Sequence, residues 1–573
     1  MLALTPWLCL QECPGEDPHL TSVYAEQYTK GFQGYGHPSG LLKAIVTPKH
    51  FTGQLFEGDG SQPWSNGTTV NRQDNDTRYP LHDLEAYYLP AFRAAMVDGE
   101  AGSVMCAYQS VNGVPMCANG FILNTVVRQS WNWTGFVISD CDAINTMQEA
   151  KCEFQVDKCA GGRFGHGYSL GGPESVRDGI RGGCDTNCGS PYSASGMDAL
   201  TLGLVDEAML DVSVGRMLRA QLKMGMFDPV VSAATTGNCC CCCCCCCSSF
   251  SLSRSWPDSR CRLSCTTQDG QPWAHLNWSD VGAPEHKQLA LEAARQSIVL
   301  LQRGKKAAAG GAAGGGGGGP ILPLKKGGKI FVTGPHYNAT ASLLGNYRGA
   351  VCASPPGGGD SHPEPCMVSL AQWVEKLNDG GSVRAMPGLW DCNNHHTVNF
   401  TATVAAAKQA DTIVFAAGLP SGSDDGPGGQ GGRGAGGGGN EGEGTDRWFL
   451  HLPGAQQELF DALRGTGKPV VVILINGGTV SIDAIKASDA AVVEAFYPGQ
   501  AGAQALSEIL FGETNPSGKL TATIYPEDYA RGEPVGGMPW MDSQVRPHEG
   551  INQTATQGRT HMWYTGTPLY PFG

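Results

Sequence analysis

At 573 residues with a formal net charge of −14, the chain is too long for one ordinary core and too acidic for a polyanion partner. Two domains are expected, and nucleic-acid binding, which needs a basic face, is not. No run of roughly 18 or more apolar residues occurs, so no membrane span is expected, and with that acidic balance a neutral substrate fits best.

Met1 to Leu10 lacks a basic leader segment and carries a proline within a short apolar stretch, so no signal peptide is read there. From Lys43 to Asp185, four short apolar strands recur between helical stretches: 44–46, 102–108, 135–140 and 180–185. Strands alternating with amphipathic helices imply parallel β/α units. Leu210, Val214, Met217 and Met224 then recur at helical spacing, with Arg216, Arg219 and Lys223 left for solvent, which reads as the helix closing a first domain over 1–228.

Residues 229–280 read as a low-complexity linker rich in cysteine and serine. Nine of the 23 cysteines stand consecutively from Cys239 to Cys247. Metal-binding clusters alternate cysteine with spacers so that thiolates converge, so this run reads as an expanded repeat and not a metal site. Pro284 suits the first turn of a helix, and Ala290, Ala293, Ala294, Ile298 and Leu301 form one apolar stripe after it. Apolar runs at 329–333, 412–416, 470–475 and 490–493 read as strands covered on both faces. They predict a second α/β domain over 281–573 with an open, largely parallel sheet, interrupted by glycine-rich insertions at 307–319 and 420–444.

The fourteen cysteines outside the run suggest disulfides and an oxidising compartment, and Cys141 with Cys188, each beside a proposed strand end, is the pair singled out. Sequons at Asn66, Asn75, Asn132, Asn277, Asn338, Asn399 and Asn552 point the same way, toward an extracellular or cell-wall location.

The chemistry is carried by Gly135-Phe136-Val137-Ile138-Ser139-Asp140-Cys141-Asp142, an apolar strand running into two carboxylates. A buried strand ending in an acid presents a catalytic group at the mouth of a parallel barrel. Around it stand Gln11 to Pro18 (QECPGEDP), Lys49-His50-Phe51, Ser103 to Tyr108 (SVMCAY) and Val111 to Pro115 (VNGVP). Further on come Tyr497 to Gly502 (YPGQAG), Asn515 to Leu520 (NPSGKL) and Tyr570 to Gly573 (YPFG). In order and wording these blocks resemble family 3 glycoside hydrolases, most closely their β-xylosidase and α-arabinofuranosidase branch.

The resemblance implies a (β/α)8 barrel followed by an α/β sandwich sharing one active site. The reaction retains anomeric configuration, with two carboxyl groups about 5 to 5.5 Å apart and no metal or organic cofactor. Asp140 matches the family nucleophile, with Asp142 its rival two residues on. Glu441, in Glu441-Gly442-Glu443-Gly444-Thr445-Asp446-Arg447, matches the acid/base, with Glu443 the alternative. Lys49 and His50 match a pair that binds sugar hydroxyls, and Tyr108 a tyrosine of the same subsite. Glu12 and Glu16 serve either the barrel mouth or the fold.

In the family roughly four β/α units precede the block that begins here at Gln11. The expected fold is therefore the last half of the barrel followed by the α/β sandwich, from a gene product truncated at both ends. The function implied is a retaining exo-glycosidase releasing β-linked xylose, or α-L-arabinofuranose, from non-reducing ends of xylan-type oligosaccharides. A β-glucosidase and an inactive, vestigial sugar-binding protein remain the alternatives.

Overall fold

The computed structural model describes residues 13–55, 59–63, 69–148, 150–151, 163–228, 272–273, 275–277, 280–306, 319–345, 367–393, 395, 400–420, 447, 449–531, 544–548 and 556–573. The cysteine run, most of the 229–280 linker, Glu12, Glu441 and Glu443 lie outside the described residues. So do both glycine-rich insertions apart from Gly319 and Pro420.

Helix α1 (Pro18–Gln33) begins where Asp17 accepts the Leu20 N–H at 2.5 Å and proline occupies the first turn. It stops at Gly34, whose φ of 70° suits glycine. Four parallel segments follow, side by side in chain order. The first runs up to Phe51, whose N–H donates to the Met105 carbonyl at 2.7 Å and whose carbonyl accepts from Ala107 at 2.8 Å. It lies against β1 (Ser103–Cys106), which pairs in parallel with β2 (Phe136–Ser139). Ile138 of β2 bridges in parallel to Thr186 in the fourth segment. Helical chain crosses between neighbours, at Phe121–Ser130 from β1 to β2 and at α2 (Gly172–Gly182) before the fourth segment. Helices α3 (Pro191–Thr201) and α4 (Glu207–Lys223) come next.

The strand expected over 180–185 starts later. Ile180 is the last apolar residue of α2 and packs on the same face as Val176. Gly183, with φ 108°, ends that helix before the chain extends at 184–186. Val176 and Ile180 follow the helical period of 3.6, and a short apolar run fits that period as readily as a strand.

In the second half, α5 (Pro284–Ser297) leads into β3 (Val299–Arg303). The stripe expected to extend one helix through Ile298 and Leu301 thus divides. Adjacent Ile298 and Val299 are stiff at Cβ and favour the extended chain, which pairs antiparallel with a later strand. Then follow β4 (Lys329–Thr333), α6 (Leu370–Leu377), β5 (Ser382–Ala385), α7 (Phe400–Ala407), β6 (Thr412–Gly418), α8 (Gln456–Arg464), β7 (Val470–Ile475), β8 (Ala491–Glu494) and α9 (Gly502–Phe511). The sheet order is β3-β8-β7-β6-β4-β5, parallel throughout except for β3. Val471, Ile473 and Ile475 pack toward α5, α6 and α9, whereas Val470, Val472 and Leu474 pack toward α7 and α8. Burial on both faces is why β7 is apolar at every position. The order reverses between β4 and β6, and in such sheets the crevice beyond the carboxyl ends at the reversal is the usual ligand site.

The two halves pack as one body. Leu450, Tyr525, Tyr529 and Val545 from the second half complete the core of the first. Glu16, 1% exposed, accepts the Thr523 N–H at 3.0 Å, the Thr523 hydroxyl at 2.6 Å and the His561 N–H at 2.7 Å. Asp83 meets Arg546 at 3.0 Å, and buried Arg559 donates to the Tyr88 hydroxyl at 3.0 Å. A side-chain hydrogen bond to Glu16 raises the His561 pKa above its ordinary 6.5. The stability from charged His561 is therefore fully present below about pH 6.5 and is lost as pH rises through the elevated value. Glu16→Ala strands these donors and is expected to lower unfolding stability by about 3 kcal/mol. It should also flatten the pH dependence contributed by His561, as measured by denaturant titration from pH 5 to 9.

Candidate active site

The four parallel segments deliver their C-terminal residues to one rim. Asp140 follows β2 directly. Its N–H donates to the Cys106 carbonyl at 3.1 Å, and its Oδ1 accepts from the Cys141 N–H at 2.7 Å. It is 8% exposed. Asp142 has a different setting: φ is 62°, the side chain is exposed, and Oδ1 lies 3.4 Å from both the Ser190 N–H and the Asn145 amide. Asp142 shapes a turn, whereas Asp140 ends a buried strand.

His50 reaches Asp140 from the first segment, with Nε2 at 3.3 Å from Oδ2. Burial, reinforced by the charges of Lys49 and Arg72, holds the His50 pKa well below 6.5. The contact therefore sets a neutral imidazole against the carboxylate and is not an ion pair. Nδ1 is buried with no hydrogen-bond partner among the described residues. Tyr108, just past β1, donates its hydroxyl to the Cys141 carbonyl at 2.7 Å and carries the Arg72 guanidinium 5.0 Å from its ring centroid. Lys49 precedes His50 at the same strand end, joined to it by a cis peptide. The disulfide Cys141–Cys188, the pair singled out from sequence, ties the segment after β2 to the one after the fourth strand segment. A second disulfide joins Cys106 to Cys117.

The structure thus brings Asp140, His50 and Tyr108 together, with Lys49 adjoining. Glu441 and Glu443 lie outside the described residues, but both anchors of their loop are visible. It leaves β6 at the sheet reversal, where the Pro420 carbonyl accepts from the Tyr497 hydroxyl at 3.3 Å. It returns through Arg447, which donates to the carbonyls of Leu450 at 3.3 Å and Thr479 at 2.8 Å. Leu450 itself packs into the core of the first half. Arg72 was missed from sequence because it sits in a polar stretch without periodicity. Glu16, read from sequence as serving either the barrel mouth or the fold, is an interface group. Glu494, at the carboxyl end of β8, has its carboxyl pushed up to about 8 by burial and is neutral at pH 7.

Residues 9–162 match the glycosyl hydrolase family 3 N-terminal domain, and residues 317–573 match the C-terminal domain of the same family. The chain belongs to glycosyl hydrolase family 3. This family 3 chain is 31% identical over 569 residues to exo-1,4-β-xylosidase xlnD of Emericella nidulans, a match covering 98% of the chain and 56% of that protein. It is 30% identical over 572 residues to xlnD of Aspergillus oryzae, covering 98% of the chain and 57% of that protein. The chain therefore spans about half the length of the curated relatives it matches. Among solved structures, a family 3 exo-β-xylosidase (XlnD) in complex with a xylobiose aziridine activity-based probe superposes with TM-score 0.75 at 30% identity, covering 100% of the chain and 60% of that structure. A β-glucosidase from Listeria innocua in complex with isofagomine shares the fold, with TM-score 0.67 at 21% identity, covering 100% of the chain and 64% of that structure.

The electrostatics make one measurable statement. In a ¹⁵N-histidine-labelled sample, the His50 imidazole is expected to stay neutral at pH 6, where exposed histidines are largely charged. Arg72→Met should move its titration upward. A His50 that titrates near 6.5 in the parent protein would contradict the assignment.

Proposed function

We propose that this chain carries the catalytic machinery of a retaining exo-glycosidase that removes β-linked xylose from the non-reducing ends of xylan-type oligosaccharides. The observation that carries the reading is Asp140: a nearly buried carboxylate at the end of a parallel strand, with Oδ1 held by the Cys141 N–H and Oδ2 3.3 Å from the Nε2 of neutral His50. In the proposed reaction Asp140 attacks the anomeric carbon while Glu441 protonates the departing oxygen. Water then opens the glycosyl-enzyme, with Glu441 now acting as base. Glu443 is the alternative acid/base. His50 Nδ1, Lys49 and Tyr108 are read as the groups that face the sugar hydroxyls. No metal or organic cofactor is invoked, because two carboxyl groups suffice.

The fold reading behind this is that the four parallel segments are an arc of a (β/α)8 barrel, the last half in chain order, spanning 1–228. Residues 281–573 form the α/β sandwich, and 229–280 are the linker between them. Beside the first segment, exposed Tyr24, Tyr28 and Phe32 line a groove of about 710 Å³, an apolar surface of the kind a closed barrel covers. Xylose over glucose is supported by the xylosidase names of the relatives, and by Cys141, tied to Cys188, in the position where glucosidase branches more often carry tryptophan. Two disulfides support an extracellular or cell-wall setting. No helix among the described residues is long and apolar enough to cross a membrane.

Release of p-nitrophenol from the aryl β-xyloside tests the reading. Asp140→Asn is expected to cut kcat by on the order of 10³-fold or more, with Asp142→Asn much closer to the parent. Glu441→Ala is expected to cost roughly 10²- to 10⁴-fold and to be rescued by azide, a behaviour that Glu443→Ala should lack. A faster aryl β-glucoside would replace xylose with glucose. Sugar binding without turnover, unchanged in Asp140→Asn, would overturn catalysis altogether.

A further inference from the structure

Directly behind Asp140 lies a cluster of three sulfurs that the glycosidase reaction does not use. Cys106, at the end of β1, is bonded to Cys117 in the loop that follows. Cys184, at the start of the fourth parallel segment, is a free thiol whose Sγ lies 3.8 Å from the Cys106 Sγ. All three sulfurs fall within 4.8 Å of one another, and all three residues are buried. Three converging thiolates would suit a soft metal ion, but two of these sulfurs are already spent on each other. What remains is a disulfide with a third thiol in van der Waals contact with one of its sulfurs, from which a turn of the Cys184 side chain brings it into line.

We propose that Cys106, Cys117 and Cys184 form a thiol–disulfide exchange site in which Cys184 and Cys117 compete for Cys106. Cys184 loses its proton and its sulfur attacks the Cys106 Sγ. The Cys184–Cys106 bond forms as the Cys106–Cys117 bond breaks, and Cys117 leaves as a thiolate that takes up the proton. One disulfide and one thiol are present before and after, so no outside oxidant or reductant is needed.

The two pairings tie the chain differently. The first closes a short loop, with a sequence separation of 11, whereas the second links residues 78 apart and passes from β1 to the fourth segment behind β2. The Cys106 carbonyl accepts the Asp140 N–H, and the 106–117 loop carries Tyr108, so the exchange alters the support under the candidate nucleophile. Burial and neighbouring Asp185 push the Cys184 thiol up to about 12. Few molecules carry its thiolate at neutral pH, and exchange accelerates as pH rises.

Peptide mapping without reduction tests this. The folded parent chain is held at pH 7 and at pH 9.5, quenched in acid, blocked with N-ethylmaleimide in guanidinium at pH 6, digested, and read by mass spectrometry. The expected result is a 106–184 linked peptide with Cys117 blocked, alongside the 106–117 peptide with Cys184 blocked, the first species growing faster at the higher pH. Cys184→Ser should show 106–117 alone at both pH values. Finding only 106–117 in the parent at both pH values, with Cys184 fully blocked, overturns the proposal. Because the parent decides the question, a variant that folds poorly does not obscure it.

Discussion

The proposed double displacement draws its nucleophile from one half of the chain and its acid from the other, and so tolerates very little play between the halves. Two carboxyl groups must stay about 5 to 5.5 Å apart through both steps. Glu16 ties the two halves together. It belongs to the first half, is almost wholly buried, and binds Thr523 and His561 of the second half through charge-assisted hydrogen bonds. Tyr525 and Tyr529 from the same region sit in the core of the first half, so the polar clamp is surrounded by packed rings. The loop carrying Glu441 returns through Arg447 and Leu450 at this junction.

Within the first half, geometry distributes the electrostatic tasks. Burial alone disfavours an ionised carboxylate, and at Asp140 the hydrogen bond from the Cys141 backbone N–H opposes that penalty. His50 stays neutral because it is buried beside two cations, so it adds no charge that would pair off the carboxylate beside it. The Cys141–Cys188 bridge and the Tyr108 hydroxyl fix the segment that supplies the Cys141 N–H.

Legibility in the sequence followed burial. β7 and β6 were readable because a strand covered on both faces is apolar at every position, and β2 because its apolar run ends abruptly in acid. Ile180 and Ile298 misled because a few apolar residues fit either period, and only Gly183 in one case and pairing with β8 in the other decide between them. β5 escaped because an edge strand with one inward residue, Val383, carries almost no pattern. Asp140, His50 and Tyr108 were legible as a motif and converge in space, and so was the Cys141–Cys188 bridge. Glu16 and Arg72 act through partners far away in the chain, Thr523 and Tyr108, and no local pattern reports such contacts.

The most direct test of the account is covalent trapping. Treatment with a 2-deoxy-2-fluoro-β-xylosyl fluoride, which slows the second displacement, should add one fluoroxylosyl mass to the intact protein. Digestion should place the adduct on Asp140. An adduct on Asp142 or on the 441–446 loop, or hydrolysis of aryl xyloside with inverted configuration, would contradict it.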